Sequence, residues 1–239
     1  MTDELDSLLE PESLTLSPST TALVVEDLNA TSIAAPVLKS ARLRLRPPTL
    51  EDAATIAMAL NDIDIAKMTS TIPHPYSYND ALKWIDAINR SWLGRMSGRE
   101  EVKGGGFVIE QLAPDGKTGL GVIGGIGVRD KHSKDALELG YWIAREHWGK
   151  GFATEAAQTA VDWAFTAYDI SSIRGCYRPQ NTGSARVLER CGFQPEGSEL
   201  AHSVVAGQIL VNTCRLNRSV WRSLRRWGGG TPSLPTEVL

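Results

Sequence analysis

Gly149 and Gly151 flank one lysine at a junction between two different hydrophobic periods, and this junction constrains the fold more than any other stretch of the chain. Before it, Leu137, Leu139, Tyr141 and Ile143 alternate with Glu138, Gly140 and Trp142, the period of two that marks a strand. After it, Ala153, Ala156, Ala157, Ala160, Val161, Ala164, Phe165 and Tyr168 recur at helical spacing, so 152–168 reads as the longest helix, packed closely on a sheet through its alanines. A chain leaving a strand must turn sharply here, and glycines without Cβ let backbone N–H groups approach an anion. The helix that follows adds unsatisfied N–H groups and the positive end of its dipole. Together these make a cradle for a phosphate or pyrophosphate. A Walker loop would need glycine where Ala144 stands and Ser or Thr in place of Gly151, and a dinucleotide fingerprint would need glycine at Thr154. A helix start shaped by glycines, with no ligand, stands beside the cradle reading.

Elsewhere the periods alternate, as in an α/β or mixed α+β domain. Arg42 to Arg46 alternates as a strand and is stopped by Pro47-Pro48. Thr49, with Asp52 three residues on, then caps a helix over 49–60 whose stripe is Ala53, Ile56, Ala57 and Leu60. A second helix runs over 79–93 from Asn79 or Asp80. The connection 68–78, with Pro73, His74, Pro75 and Tyr76, cannot be regular helix and is the kind of stiff loop that lines a site. Strands are expected at 106–111, 120–128, 136–144, 173–177 and 208–216, with an extra short one at 193–197, and a short helix at 181–191 closed by Gly192.

The length of 239 residues suits one domain with tails. Cys176, Cys191 and Cys214 are odd in number and lack Cys-x-x-Cys spacing, which points to a reducing compartment, and His74, His132, His147 and His202 lack metal-ligand spacing. No apolar run approaches the roughly 18 residues of a membrane span, and no basic start precedes an apolar core, so a cytoplasmic location is expected. The net charge of −3 hides a segregation. Asp3, Glu4, Asp6, Glu10, Glu12, Glu26 and Asp27 stand in 1–38 without a Lys or Arg, an acidic head too poor in apolar surface to offset its ordering entropy. The domain itself is expected over 39–217, followed at 218–239 by a basic, Gly/Pro-containing tail. There Val220, Trp221, Leu224 and Trp227 repeat at helical spacing between Arg218, Arg222, Arg225 and Arg226. Three readings stand for that segment: a contact for RNA, the ribosome or an anionic membrane; a terminal helix packed on the sheet; or a partner for the acidic head. DNA binding is not expected, and a monomer or homodimer is.

The run from Leu137-Glu-Leu-Gly-Tyr-Trp-Ile to His147-Trp-Gly-Lys-Gly-Phe-Ala-Thr-Glu-Ala, followed by Asn181-x-x-Ser184-x-x-Val-Leu-Glu-Arg-Cys-Gly-Phe193, resembles the GNAT superfamily of N-acetyltransferases, and within it the RimJ/RimL branch. The resemblance covers about residues 40–217. One departure is Glu146, which stands where the superfamily pattern begins with Gln or Arg. The resemblance implies a mostly antiparallel, twisted central sheet with a V-shaped splay, flanked by about four helices. It also implies acetyl-CoA as cofactor. Its pyrophosphate would rest on amides around Trp148, Gly149, Lys150, Gly151, Phe152, Ala153 and Thr154, and its pantetheine along Trp142, Ile143 and Ala144, paired like an added strand.

Acetyl transfer to an amine acceptor, a protein α-amine or a small molecule, needs a deprotonated amine, stabilisation of the oxyanion and a proton for the departing thiolate. Glu138 is the first candidate base, a carboxylate expensive to bury beside Gly140 and Trp142; a structural Glu satisfied by an Arg or by backbone amides is the competing role. Asn181 caps the short helix and Ser184 lies one turn on, on the same face. In the resembling proteins these positions contact the cofactor arm and lie near the thioester sulfur, so both are catalytic and cofactor-binding candidates; Tyr177 ranks lower as an acid. His74, Tyr76 and Trp84 are the expected lining of the acceptor pocket, with His74 an alternative base. A non-catalytic acyl-CoA sensor of the same fold is the rival function.

Overall fold

The computed structural model describes residues 35–96, 103–133 and 135–227. The acidic head up to residue 34 and the stretch from 228 onward lie outside the described residues. Eight strands form one open sheet: β1 (Leu38–Lys39), β2 (Leu43–Arg46), β3 (Gly104–Leu112), β4 (Gly119–Ser133), β5 (Ala136–Ile143), β6 (Ser172–Tyr177), β7 (Gln194–Ser203) and β8 (Gly207–Asn217). Their order across the sheet is β1-β2-β3-β4-β5-β6-β8-β7, and all neighbours are antiparallel except β5 and β6. The helices are α1 (Ala53–Leu60), α2 (Ile63–Lys67), α3 (Tyr78–Met96), α4 (Phe152–Ala167), α5 (Thr182–Arg190) and α6 (Arg218–Trp227).

The mixed, mostly antiparallel architecture is the one expected, with six helices among the described residues in place of about four. α2 is five residues long, too short for a hydrophobic period to reveal, and rests on Asp62, whose carboxylate accepts from the Asp64 N–H at 2.8 Å. α3 starts at Tyr78 because the cap is Ser77 with Asp80, not Asn79 or Asp80 alone. The Asp80 carboxylate accepts from the Ser77 N–H and the Ser77 hydroxyl accepts from the Asp80 N–H, a reciprocal box. β7 runs to Ser203, far past the short strand expected at 193–197, yet most of it is exposed. An exposed edge strand has no apolar alternation to read.

Two cores flank the sheet. β5 sends Leu137, Leu139 and Ile143 to the side of α4, and Trp142 to the side of α1 and α3. Ala156, Ala157, Ala160 and Ala164 of α4 are fully buried, which lets the helix lie close on the strands. The basic segment forms a terminal helix, α6, as the second of its three readings has it, but this helix packs against α4. Arg218 donates to the carbonyls of Phe165, Tyr168 and Ile170 at 2.5–2.8 Å, bonding one carbonyl in the last turn of α4 and two in the segment just after it. Trp221 stacks on Phe165 with centroids 5.0 Å apart and donates to Asp162 at 2.8 Å. No described helix is long and apolar enough to cross a membrane.

Acid should loosen this arrangement. Burial works to raise the Asp52 carboxyl, but two Arg46 hydrogen bonds at 2.8 Å and the Thr49 N–H overcome it and hold it below the usual range. Hydrogen bonds from Arg145 hold Asp62 at about 2. A carboxylate depressed in the folded state contributes stability above its unfolded value of about 4, and loses it as pH falls through the folded value. Denaturation midpoints should therefore drop as pH falls from about 4 toward 2, and less steeply in Arg46→Ala; equal slopes would assign the acid sensitivity elsewhere.

Candidate active site

The opening in the sheet is set by register. β5 and β6 pair in parallel from Ala136 with Ser172 to Leu139 with Gly175, and there the pairing stops. β5 continues to Ile143 held by β4 alone, and β6 continues to Tyr177 held by β8 alone. The Ala144 N–H donates to the Ile123 carbonyl at 2.9 Å. In an antiparallel ladder such bonding pairs alternate, so Tyr141 and Ile143 turn their N–H and C=O groups away from β4, toward the gap. An edge with unpaired backbone groups inside a sheet is a template for an extended ligand. The Ile143 carbonyl accepts from the Trp148 indole N–H at 2.6 Å, and Arg145 lies over the Trp148 ring at 5.1 Å.

The glycine junction sits just past this edge. Gly149 and Gly151 have φ of +74° and +81°, the left-handed region that other residues enter at a cost, and Gly151 caps α4. With no side chain at the cap, the N–H groups of Phe152, Ala153 and Thr154 are aimed out of the helix toward any anion. Exposed Lys150 stands between the two glycines.

A buttress behind this loop has no sequence signature. Glu155, in the first turn of α4, accepts from the Ser40 hydroxyl at 2.8 Å, the Arg42 N–H at 2.8 Å and Arg42 Nε at 2.7 Å. Arg42 in turn donates to the Lys150 carbonyl at 3.1 Å and lies over the Phe152 ring at 4.6 Å. Burial works to raise the Glu155 carboxyl, and these donors hold it below its ordinary value. The β1–β2 hairpin thus fixes the loop. Glu155→Ala should weaken acetyl-CoA binding about tenfold, equivalent to about 1.4 kcal/mol, with Glu155→Gln in between; calorimetry showing wild-type affinity in both would reduce the buttress to a surface contact.

Glu138 lies on β5 opposite Arg129 of β4 and Arg174 of β6, on the face shared with Trp142. Its Oε2 is 3.8 Å from the Cys176 thiol, which stands one residue beyond the last β5–β6 pair. Burial works to lower the Arg174 guanidinium, and its ion pair with Glu199 at 2.5 Å and the nearby charge of Glu138 more than offset this. On the other face, the Asn181 side chain accepts from the Ser184 N–H at 3.0 Å, the capping role expected of it. The Ser184 hydroxyl is 2.8 Å from the Tyr141 hydroxyl, which brings Ser184 over the open edge of β5. Tyr177 packs partly buried against the core.

The three pocket residues are not brought together. His74 lines an open cavity of about 670 Å³ with Asn61, Asp62, Ala144 and Arg145. Tyr76 is only 7% exposed, and burial pushes its hydroxyl up to about 12; with Trp142 it belongs to the core beneath α1 and α3, against which Trp84 is packed. The cavity opens at the Ala144 end of β5, whereas Glu138 lies six residues back, about 20 Å along a strand. A second boundary of the opening comes from backbone contacts. The Lys67 carbonyl accepts from Arg178 at 2.7 Å, Thr69 O from the Ser203 hydroxyl at 3.2 Å, and Ser70 O from the Val204 N–H at 3.0 Å. The 67–70 segment therefore bridges from α2 to the β7–β8 turn.

The family model described as an acetyltransferase (GNAT) domain matches residues 42–194. The uncharacterized N-acetyltransferase p20 of Bacillus licheniformis is 31% identical over 173 residues, 72% of this chain and 90% of p20. The [ribosomal protein uS5]-alanine N-acetyltransferase of Escherichia coli is 31% identical over 119 residues, 49% of this chain and 61% of that enzyme. Among solved structures, Mycobacterium smegmatis RimJ in complex with CoA-disulfide superposes with a TM-score of 0.60 at 24% identity, over 77% of this chain and 87% of RimJ. At that identity the likeness is one of fold.

Proposed function

The chain belongs to the GNAT acetyltransferases, N-acetyltransferases that use acetyl-CoA, and from that premise we propose that it acetylates a protein α-amine, in the cytoplasm. The observation that carries the reading is the β5–β6 gap, opening at Leu139 and Gly175 and ending at the glycine junction of α4. It offers what acetyl-CoA needs: backbone partners at Tyr141 and Ile143 for the pantetheine amides, and the amides of 148–154 for the diphosphate. The cofactor supplies the acetyl group as an activated thioester.

In this reading Glu138 takes the proton of the acceptor nitrogen, and Ser184 meets the charge that develops on the leaving sulfur. Asn181 orients Ser184 by capping α5. The 67–70 bridge and the β7–β8 turn border the acceptor's approach, while His74 lines the cavity at the far end of β5 and Tyr76 and Trp84 pack in the core. An α-amine is favoured over a lysine-type amine by the uS5-alanine relative. It also costs only about 1.4 kcal/mol to hold neutral at pH 7, against about 4.6 for a lysine.

Thiol release should be measured with peptides bearing free or blocked N-termini, polyamines and small amines. Release that depends on a free peptide N-terminus is the expected result. Turnover with polyamines alone would move the assignment to a small amine, and binding of acetyl-CoA with no turnover on any amine would favour a sensor.

A further inference from the structure

Resting on the acetyl-transfer reading, we propose that Tyr141 is a positioning residue, its hydroxyl donating to Ser184 Oγ and so directing the Ser184 hydroxyl hydrogen at the sulfur of the acetyl donor. The two oxygens are 2.8 Å apart. A phenol is a stronger acid than an aliphatic alcohol and therefore the better donor, while the alcohol oxygen is the better acceptor. The Ser184 N–H is already committed to Asn181 at 3.0 Å. The backbone and oxygen of Ser184 are thus both fixed, and its own hydrogen is the part left to serve a ligand.

The place is right for that service. Tyr141 is two residues past the last β5–β6 pair, so the dyad stands beside the open edge and not within the paired sheet. The titratable groups that act on the Tyr141 hydroxyl are two thiols, Cys191 and Cys214. The Cys191 and Cys214 thiols near Tyr141 are pushed up to about 12 by burial, and burial likewise raises the Tyr141 hydroxyl, so all three keep their protons at neutral pH. Glu138, Arg129 and Arg174 belong to the opposite face. A hydrogen bond to a developing anion is stronger where water and charge are scarce.

In the transfer, the amine nitrogen bonds to the acetyl carbon, the carbon–sulfur bond breaks and its electron pair passes to sulfur. The nitrogen's proton goes to Glu138, and the sulfur takes a proton from water after departure. Ser184 stabilises the thiolate in between by hydrogen bonding, and Tyr141 never gives up its proton.

The test uses the full chain loaded with CoA itself. The thiol of bound CoA is titrated by its ultraviolet thiolate absorbance, as a difference against the same protein without CoA. The expected result is a bound thiol about tenfold less acidic in Tyr141→Phe and in Ser184→Ala than in the wild type, with Ser184→Thr close to wild type. With acetyl-CoA and an acceptor, kcat should fall about tenfold in each single variant with KM for acetyl-CoA nearly unchanged. The double variant should be no slower than Ser184→Ala. A wild-type thiol titration in Tyr141→Phe, or losses that multiply in the double variant, would overturn the proposal. Wild-type protein that binds no CoA would overturn the acetyl-transfer reading itself, a distinct outcome.

Discussion

Replacing Gly151 by valine should weaken acetyl-CoA binding by about 5- to 30-fold, because left-handed backbone costs a residue with a Cβ about 1–2 kcal/mol. Gly151 holds φ at +81° and caps α4, so relaxation of this residue rotates the N–H groups that follow it. A Cβ there would also meet Arg42 Nη2 at 3.4 Å, pressing on the Glu155 buttress. Gly149, at φ +74°, has open space around it, so its own demand is conformational alone. Asparagine tolerates left-handed backbone better than valine, so Gly149→Asn should bind acetyl-CoA almost as the wild type does. Calorimetry with CoA and with a pantetheine lacking the diphosphate separates the contributions. A Gly151→Val loss seen with CoA but not with the truncated ligand is expected, and equal affinity of Gly151→Val and wild type for CoA would dissociate the loop from the diphosphate.

Glu138→Gln should lower turnover at neutral pH by about 100-fold, the low end of what a positioned base contributes, with acetyl-CoA affinity nearly intact. The loss should shrink as pH rises toward the acceptor's pKa, because a free amine then needs no base. A lysine-type acceptor should show the larger effect, since its neutral form is rarer at pH 7. The neighbouring arginines define the competing role. Arg174 is the register partner of Glu138 and feels its charge. If Glu138 serves only to balance Arg174, Glu138→Gln should lower the melting temperature and leave the rate and its pH profile unchanged; that pair of results would sink the base assignment.

The motifs around this site were legible for local reasons. The period-two run of β5, the alanine stripe of α4 and the glycines between them each follow from the conformational demands of a few consecutive residues. Asn181 could be read as a cap because capping is also local, and the structure has it accepting from Ser184. Tyr141 could not be assigned beyond the core face of its strand. Its link to Ser184 spans 43 residues and depends on α5 returning over the open edge. The Glu155 buttress is hidden in the same way, since Ser40 and Arg42 are more than a hundred residues distant. His74, Tyr76 and Trp84 share a loop and a neighbouring helix, but packing turned Tyr76 inward to the core and left His74 at a cavity.

The amino-acid sequence alone determined the strand–glycine–helix junction, the alternation of elements and the family to which they point, because periodicity and backbone conformation are properties of neighbouring residues. Tertiary structure alone decided where β5 and β6 part, which backbone groups face the gap, and which charges surround Glu138. It also decided that the arginine-rich end folds back as α6, with Arg218 holding a carbonyl in the last turn of α4 and one just beyond it. Each of these depends on hydrogen bonds between residues far apart in the chain, and no local pattern encodes such a bond until the sheet has brought its two ends together.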